Sequence, residues 1–152
     1  MSQVFLSFGS NIGDRKKYIE DAIRRLDKHG ILLKTSEIME TDPVDFTEQD
    51  KFLNCVAEFE TDEAPEVLLS SLKKIEKDMG RVKIIDKGPR NIDIDILLFG
   101  DEIVESEILT IPHKSLIHRK FFLELLLSLN QDIKNPLNGI PYKEYLNENK
   151  NY

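Results

Sequence analysis

Near the middle of the chain, an apolar strand pattern carries two aspartates. Residues 88–99 have the sequence GPRNIDIDILLF. Because successive strand residues point to opposite faces, Asp93 and Asp95 share one face about 7 Å apart, and the other face takes Ile92, Ile94, Ile96 and Leu98. Aspartate is depleted in strands, and like charges at this spacing repel by roughly 2.4 kcal/mol at an effective dielectric of 20. Such a pair needs something that offsets the repulsion.

Two interpretations of the aspartate pair are open on this pattern alone. Hard carboxylate oxygens on a rigid strand suit Mg²⁺, which takes one or two carboxylates and completes its octahedron with water and substrate phosphates. Alternatively, the segment is an edge strand whose aspartate side faces water. The neighbouring residues bear on the choice between the two.

Basic residues cluster on both sides of the aspartates, although the formal net charge of the chain is −7. The cluster consists of Arg81, Lys83, Lys87 and Arg90 before the pair, and of Lys114, His118, Arg119 and Lys120 after it. The acidic net charge argues against a nucleic-acid surface. A local basic patch beside a metal site indicates a small polyphosphate ligand instead.

Length, cysteine content and apolar segments limit the class of protein. The 152 residues suffice for one ordinary domain over 1–152. The one cysteine, Cys55, cannot pair within the chain and is typical of a small buried hydrophobe in a reducing compartment. Residues 1–11 lack a signal-peptide pattern, and the longest apolar stretch, 121–129, is broken by Glu124. We expect a cytoplasmic monomer without a membrane or nucleic-acid partner.

The periodicity of apolar residues predicts the order of the elements. The expected elements are a strand over 4–8, a helix starting near Asn11 or Asp14 and stopping at Gly30, strands over 31–40 and 52–61, a helix from Thr61 or Asp62 to Gly80, the aspartate strand, a hairpin over 101–110, and helices over 116–129 and 143–148. The order β, α, β, β, α, β is that of a split βαβ sheet with both helices on one face. We expect the other face to be open and to carry Phe52, Asn54, Asp93 and Asp95.

A series of short motifs, taken in order, resembles one family. The motifs are Gly9-Ser10-Asn11, Thr41-Asp42-Pro43-Val44, Phe52-Leu53-Asn54, Ile75-Glu76 with Gly80-Arg81, Gly88-Pro89-Arg90 with Asp93 and Asp95, Ile111-Pro112-His113, and Arg119 with Phe121. The set spans about residues 4–129 and resembles the 6-hydroxymethyl-7,8-dihydropterin pyrophosphokinases of folate biosynthesis. The resemblance implies an α+β ferredoxin-like fold with a short hairpin and C-terminal helices. It also implies Mg²⁺-dependent transfer of pyrophosphate from ATP to the pterin's hydroxymethyl oxygen, with release of AMP.

The resemblance assigns roles to individual residues. Asp93 and Asp95 would hold two Mg²⁺ ions that bridge the ATP phosphates, and Asp95 would help to draw the proton from the attacking hydroxyl. The implied catalytic residues are Arg81, Arg90 and Asp95, and each arginine offers a planar fork to phosphate oxygens. The implied ATP contacts are Glu76, Lys83, Arg90, Ile96, Thr110, His113 and Arg119. The implied pterin contacts are Thr41, Pro43, Val44, Phe52, Asn54 and Phe121.

Several of these residues also have a purely structural interpretation. Phe52 and Phe121 are consistent with core packing, and Glu76 with a solvated position on a charged helix. Asn54 is more informative, because an amide in mid-strand among apolar neighbours must find hydrogen-bond partners. The chain also departs from the usual family pattern at Asp45, Lys87, Ile108 and Lys114. These departures put nucleotide affinity and loop closure in question.

Two other functions are compatible with the pattern. A nucleotidyltransferase also combines a Gly-Ser turn near the first strand with a strand-borne Asp-x-Asp, but it would release pyrophosphate rather than AMP. A non-catalytic ferredoxin-like ligand-binding module would have no use for the like-charged pair. Replacing Asp93 or Asp95 by alanine would leave such a module unaffected.

Overall fold

The computed structural model of the chain describes residues 1–42, 50–81 and 91–148. The strands are β1 (Ser2–Ser10), β2 (Ile31–Thr35), β3 (Met39–Thr41), β4 (Phe52–Thr61), β5 (Asp93–Phe99), β6 (Val104–Glu105) and β7 (Thr110–Ile111). The helices are α1 (Arg15–Arg25), α2 (Pro65–Asp78), α3 (Lys120–Leu129) and α4 (Tyr142–Glu148). In the described ranges, none of these helices has the length and apolar character that a membrane crossing requires.

The main sheet has the strand order β2-β4-β1-β5, and every neighbouring pair is antiparallel. The short strand β3 pairs with the other end of β4, and β6 and β7 form a separate hairpin. With α1 after β1 and α2 after β4, this order is the α+β ferredoxin-like arrangement. The prediction of this fold, with a hairpin and C-terminal helices, is therefore confirmed.

One face of the sheet packs against α1 and α2. As the alternation predicts, the side chains of β4 that point to this face are Leu53, Cys55, Ala57 and Phe59. They meet the apolar stripes of the helices, which include Ile19, Ala22, Leu26, Leu68, Leu72 and Ile75. Cys55 is 2% exposed, and burial raises the pKa of its thiol, as expected of a small buried hydrophobe.

The opposite face of the sheet is covered over most of its area, so the expectation of an open face is wrong. Six of the ten residues of α3 are buried, because this helix is apolar nearly all round. It forms a second core together with α4 and the sheet residues Phe5, Val56, Leu97 and Leu98. The cavity that remains on this face lies at the end of the sheet that carries Asn54, Asp93 and Asp95.

A β-bulge in β5 changes the predicted alternation. Phe5 pairs with Leu98 and Leu6 pairs with Ile96, so Leu97 is an extra residue in the strand. The bulge turns Leu98 to the α3 side of the sheet, whereas the prediction had put it beside Ile96 on the helix-covered face. Asp93 and Asp95 precede the bulge and keep their common face.

Several predicted boundaries shift. The strand predicted over 31–40 is two strands, because Ser36 turns its side chain to the neighbouring strand and its hydroxyl accepts the backbone N–H of Val56 at 2.9 Å. Helix α1 is capped by Asp14, which was one of the two predicted starts. Helix α2 was predicted to start at Thr61 or Asp62, but the residue that precedes it is Ala64. Helix α3 begins at Lys120, four residues later than predicted, because hydrogen-bonded turns occupy the preceding residues.

Candidate active site

Two cavities meet at the open end of the sheet. The first has a volume of about 270 Å³ and lies between the sheet and the start of α3. The second has a volume of about 210 Å³ and lies between α2, β5 and the β6–β7 hairpin. The residues that line both cavities are Asp95, His113 and Lys114. A ligand that filled both cavities would therefore pass these three side chains.

The amide of Asn54 organises the far end of the first cavity. Its Nδ2 donates to Thr41 Oγ1 at 2.6 Å and to the Met39 carbonyl at 3.4 Å, which ties β4 to β3. Phe52 lies opposite Thr41 in the strand pairing, and both line the cavity. Thr41, Phe52 and Asn54, three of the implied pterin contacts, thus lie around a space that suits a flat ring with a polar edge.

Two consecutive aromatic rings form the opposite wall of the first cavity. The rings of Phe121 and Phe122 lie 4.5 Å apart at 49°. The Arg119 guanidinium carbon lies 5.6 Å from the Phe122 ring centroid, and all three residues line the cavity. Phe121 and Arg119 were predicted site residues, whereas Phe122 was not. The signal for it was the pair of phenylalanines that follows Arg119 after one intervening lysine.

Asp93 and Asp95 lie opposite Gly9 and Ser7 of β1, on the face that opens into the first cavity. Partial burial raises the pKa of Asp95 to about 7, and the nearby carboxylates of Asp93 and Glu76 add to the rise. In the free protein the proton on Asp95 is therefore lost only near neutral pH. A bound cation would replace that proton, because it offsets the same repulsion.

The donor set at this pair fits Mg²⁺. In the described part of the chain, no group of three or more histidine, cysteine or acidic side chains is arranged to enclose a metal ion. Mg²⁺ seldom uses such a cage, and one or two carboxylates with water and substrate phosphates suffice for it. Asp93 and Asp95 supply the two carboxylates, and the adjoining second cavity leaves room for a polyphosphate.

Arg81 is fixed by the way α2 ends. Gly80 has φ +75°, which an L side chain adopts at a cost, and this turn lets the Arg81 N–H reach the Glu76 carbonyl at 3.0 Å. The Arg81 side chain then folds back onto the same residue: Nη1 donates to Glu76 Oε1 at 2.7 Å. Nη2 lies 3.3 Å from Asp93 Oδ1. Arg81 is therefore a half-buried bridge between carboxylates rather than a solvated loop charge.

Glu76 is 2% exposed, so the alternative interpretation of a solvated surface carboxylate is wrong. Its Oε2 accepts the backbone N–H of Ile94 at 2.8 Å, between the two aspartates in sequence. Lys73, one turn earlier on α2, lies 3.7 Å from Oε1 and lines the second cavity. Lys73 was not among the predicted site residues, although its spacing of three residues from Glu76 places the two on one helix face.

His113 faces Asp95 as a neutral imidazole. The Leu97 carbonyl, at the bulge in β5, accepts the His113 N–H at 2.9 Å and so holds the histidine beside the strand. Burial and the nearby Arg119 lower the pKa of His113 to about 4. Nδ1 accepts the Ser115 N–H at 3.1 Å, so the ring proton sits on Nε2, which lies 4.0 Å from Asp95 Oδ1. The site thus presents an uncharged N–H donor at the boundary of the two cavities.

The remaining predicted residues divide into two groups. Ile96 and Thr110 line the second cavity, together with Leu69, Ile108 and Leu109. Ile108 is 72% exposed, which is unusual for an isoleucine and leaves an apolar surface beside that cavity. Outside the described residues lie the predicted site residues Pro43, Val44, Lys83 and Arg90 and the departures Asp45 and Lys87.

Sequence comparison decides the family. The family model described as 7,8-dihydro-6-hydroxymethylpterin-pyrophosphokinase (HPPK) matches residues 5–131. The chain belongs to the HPPK family. A 2-amino-4-hydroxy-6-hydroxymethyldihydropteridine pyrophosphokinase of Aquifex aeolicus is 40% identical over 149 residues, which is 98% of this chain and 93% of that protein. The protein of the same name in Bacillus subtilis is 39% identical over 132 residues, which is 86% of this chain and 79% of that protein.

Other HPPK relatives are much longer than this chain. The folic acid synthesis protein fol1 of Pneumocystis carinii is 46% identical over 93% of this chain, but the chain spans only 19% of that protein. Among solved structures, a Plasmodium falciparum HPPK-DHPS triple mutant superimposes with a TM-score of 0.76 at 18% identity, over 97% of this chain and 44% of that one. This likeness supports the fold alone.

Proposed function

We propose that the chain transfers the pyrophosphoryl group of ATP to the hydroxymethyl oxygen of 6-hydroxymethyl-7,8-dihydropterin, with Mg²⁺, in folate synthesis. The observation that carries this proposal is that the two cavities meet at Asp95 and His113. In the reaction, the hydroxymethyl oxygen forms a bond to the β-phosphorus of ATP, and the bond from that phosphorus to the α,β-bridging oxygen breaks. AMP leaves with the bridging oxygen.

The first cavity is the proposed pterin site. Thr41 and Asn54 would pair with the polar edge of the ring, while Phe52 and Phe121 would stack against its faces. The second cavity is the proposed nucleotide site, where Leu69, Ile96, Ile108 and Thr110 would surround the base and ribose. The hydroxymethyl group would then lie next to the phosphates at the boundary, which is the positioning that such a transfer requires.

The residues at the boundary of the two cavities would neutralise phosphate charge and accept the hydroxyl proton. Asp93 and Asp95 would hold two Mg²⁺ ions, which when bound neutralise charge on the phosphate oxygens. Asp95 would take the hydroxyl proton, and His113 would donate a hydrogen bond from its Nε2–H to a phosphate oxygen while keeping that proton. Arg81 and Arg119 would bind further phosphate oxygens, and Glu76 would orient Arg81. The same proposal includes Pro43 and Val44 at the pterin and Lys83 and Arg90 at the phosphates.

Product analysis tests the proposal. Purified protein is incubated with ATP, Mg²⁺ and the dihydropterin, and nucleotides are separated by chromatography. We expect AMP and a pterin diphosphate in equal amounts, and a rate lowered at least ~100-fold in Asp95→Asn but not in the exposed control Asp101→Asn. Pyrophosphate release would indicate a nucleotidyltransferase. Pterin binding without any turnover, unchanged in Asp95→Asn, would indicate a binding module.

A further inference from the structure

We propose that Arg15 is a positioning residue for the pterin site, an inference that rests on the function proposed above. Arg15 Nη1 donates to the Lys51 carbonyl at 2.8 Å and lies 3.3 Å from Glu40 Oε2. None of these three residues lines the first cavity. Glu40 and Lys51 directly precede Thr41 and Phe52, however, and both of those residues line it. Arg15 therefore acts on the backbone just behind the site.

The two strand ends that Arg15 joins depend on such support. Strand β3 has only three residues, and it pairs with β4 through Met39–Asn54, Glu40–Leu53 and Thr41–Phe52. This short pairing sets the position of Thr41 against Asn54, whose side chains are 2.6 Å apart. A guanidinium that contacts Glu40 on β3 and Lys51, the residue just before β4, fixes the spacing of the two strands at that end.

The place of Arg15 in α1 supports a role outside the helix. The helix begins with Arg15, Lys16 and Lys17 and has no acidic residue in its first turn. The helix dipole disfavours cations at this end, so helix stability does not explain the arginine. The Arg15 side chain leaves the helix for the strands and is 30% exposed. Asn11, in the same connection between β1 and α1, donates to the Asp50 carbonyl at 3.0 Å and so supports the same chain segment.

A planar ligand makes this spacing important. The Phe52 ring must lie at stacking distance while Asn54 reads the ring edge, so a small shift of β4 against β3 misplaces both contacts at once. The nucleotide cavity is lined by α2, β5 and the hairpin, none of which Arg15 contacts through a described bond. Loss of Arg15 should therefore weaken pterin binding selectively. Both contacts use Nη1, and lysine, whose side chain is shorter and ends in a compact ammonium group, would keep only part of this bridge.

Steady-state kinetics with a matched control test this inference. We expect Arg15→Ala to raise the KM for the dihydropterin by about tenfold, as for loss of a charge-assisted hydrogen bond, with the KM for ATP within about twofold of wild type. Arg15→Lys should be intermediate. The control is Arg24→Ala on the same helix, whose side chain is 76% exposed and pairs with Asp21; it should leave both constants unchanged. Binding of 6-hydroxymethylpterin alone, followed by its fluorescence, should weaken by the same factor.

Several outcomes would overturn the inference. One is a pterin KM for folded Arg15→Ala that equals that of Arg24→Ala, and another is an equal rise of both KM values. If Arg15→Ala does not fold, Glu40→Gln removes the ion pair and keeps the Lys51 bond; we expect about a threefold rise in pterin KM, and no rise would overturn the inference. Failure of the wild-type chain to bind the pterin would instead overturn the proposed function, and the inference with it.

Discussion

The carboxylate of Glu76 accepts the backbone N–H of Ile94 at 2.8 Å, and this bond joins helix α2 to the strand that carries both aspartates. The other carboxylate oxygen, Oε1, accepts a hydrogen bond from Arg81 Nη1 at 2.7 Å. Arg81 Nη2 in turn lies 3.3 Å from Asp93 Oδ1. One buried side chain thus aligns a helix end, an arginine and a carboxylate pair. This network supports, from the α2 side, the end of the sheet that carries Asp93 and Asp95.

Truncation of Glu76 should destabilise the fold strongly. Glu76→Ala leaves the Ile94 N–H without its acceptor and Arg81 without its partner, and we expect a loss of about 2–4 kcal/mol in the free energy of unfolding. Glu76→Gln keeps an acceptor for Ile94 and should lose about half as much. Urea denaturation measures both, with the exposed Glu20→Ala as control. A Glu76→Ala protein as stable as this control would contradict the network.

The raised pKa of Asp95 should make the metal-free protein less stable as pH rises. Its folded pKa of about 7 lies above the unfolded value of 3.8, so between these values the folded state keeps a proton that the unfolded state has lost. This contribution therefore falls from about pH 4 to pH 7 and is flat above pH 7. Asp95→Asn removes it, and the variant should gain about 1–2 kcal/mol over wild type at pH 8 after allowance for solvent screening, and almost nothing at pH 4.

Unfolding curves in urea at several pH values, with a chelator present, measure this difference. Added Mg²⁺ should stabilise wild type more than Asp95→Asn at pH 8, because the cation replaces the proton. A stability difference between the two proteins that does not change with pH would contradict the raised pKa.

His113 should remain neutral throughout the physiological range. Its pKa of about 4 and the Ser115 bond to Nδ1 predict a proton on Nε2 alone at pH 7. Nitrogen-15 NMR of the imidazole distinguishes the tautomers directly. We expect one protonated nitrogen from pH 5 to pH 8, and a titration near pH 6.5 would contradict this assignment.

Asn54 should act on the pterin and not on the nucleotide. Asn54→Ala removes the hydrogen bonds to Thr41 and Met39 as well as the proposed contact with the ring edge. We expect the KM for the pterin to rise by roughly 10–100-fold and the KM for ATP to stay within about twofold. Asn130→Ala, at the exposed end of α3, is the control. Equal loss of affinity for both substrates would contradict the division into two cavities.

Local patterns in the sequence were enough for most of the fold. The apolar alternation over 52–61 predicted β4 with its two faces, Asp14 was one of the two predicted starts of α1, and Gly80 marked the end of α2. The bulge at Leu97 could not be predicted, because Ile96, Leu97, Leu98 and Phe99 are all apolar and no polar residue marks the change of face. The sequence did not predict that α3 covers the second face of the sheet, because this packing depends on contacts between residues far apart in the chain.

Some residues of the candidate site could likewise be predicted from the sequence, and others could not. Asp93, Asp95 and Asn54 stood out because polar residues within apolar strands are rare, and the structure brings them to one cavity. Glu76 and Arg15 look like ordinary charged helix residues in the sequence. Their roles depend on partners that lie 18 and 36 positions away, which no local pattern reports.

Phosphorus-31 NMR of the reaction of ATP with the dihydropterin in the presence of Mg²⁺ shows directly which group is transferred. It follows which phosphorus atoms of ATP become bonded to the pterin. Our account predicts that the β- and γ-phosphorus signals move together into one diphosphate ester while the α-phosphorus appears as AMP. Appearance of the α-phosphorus in the pterin product, with free pyrophosphate, would contradict it.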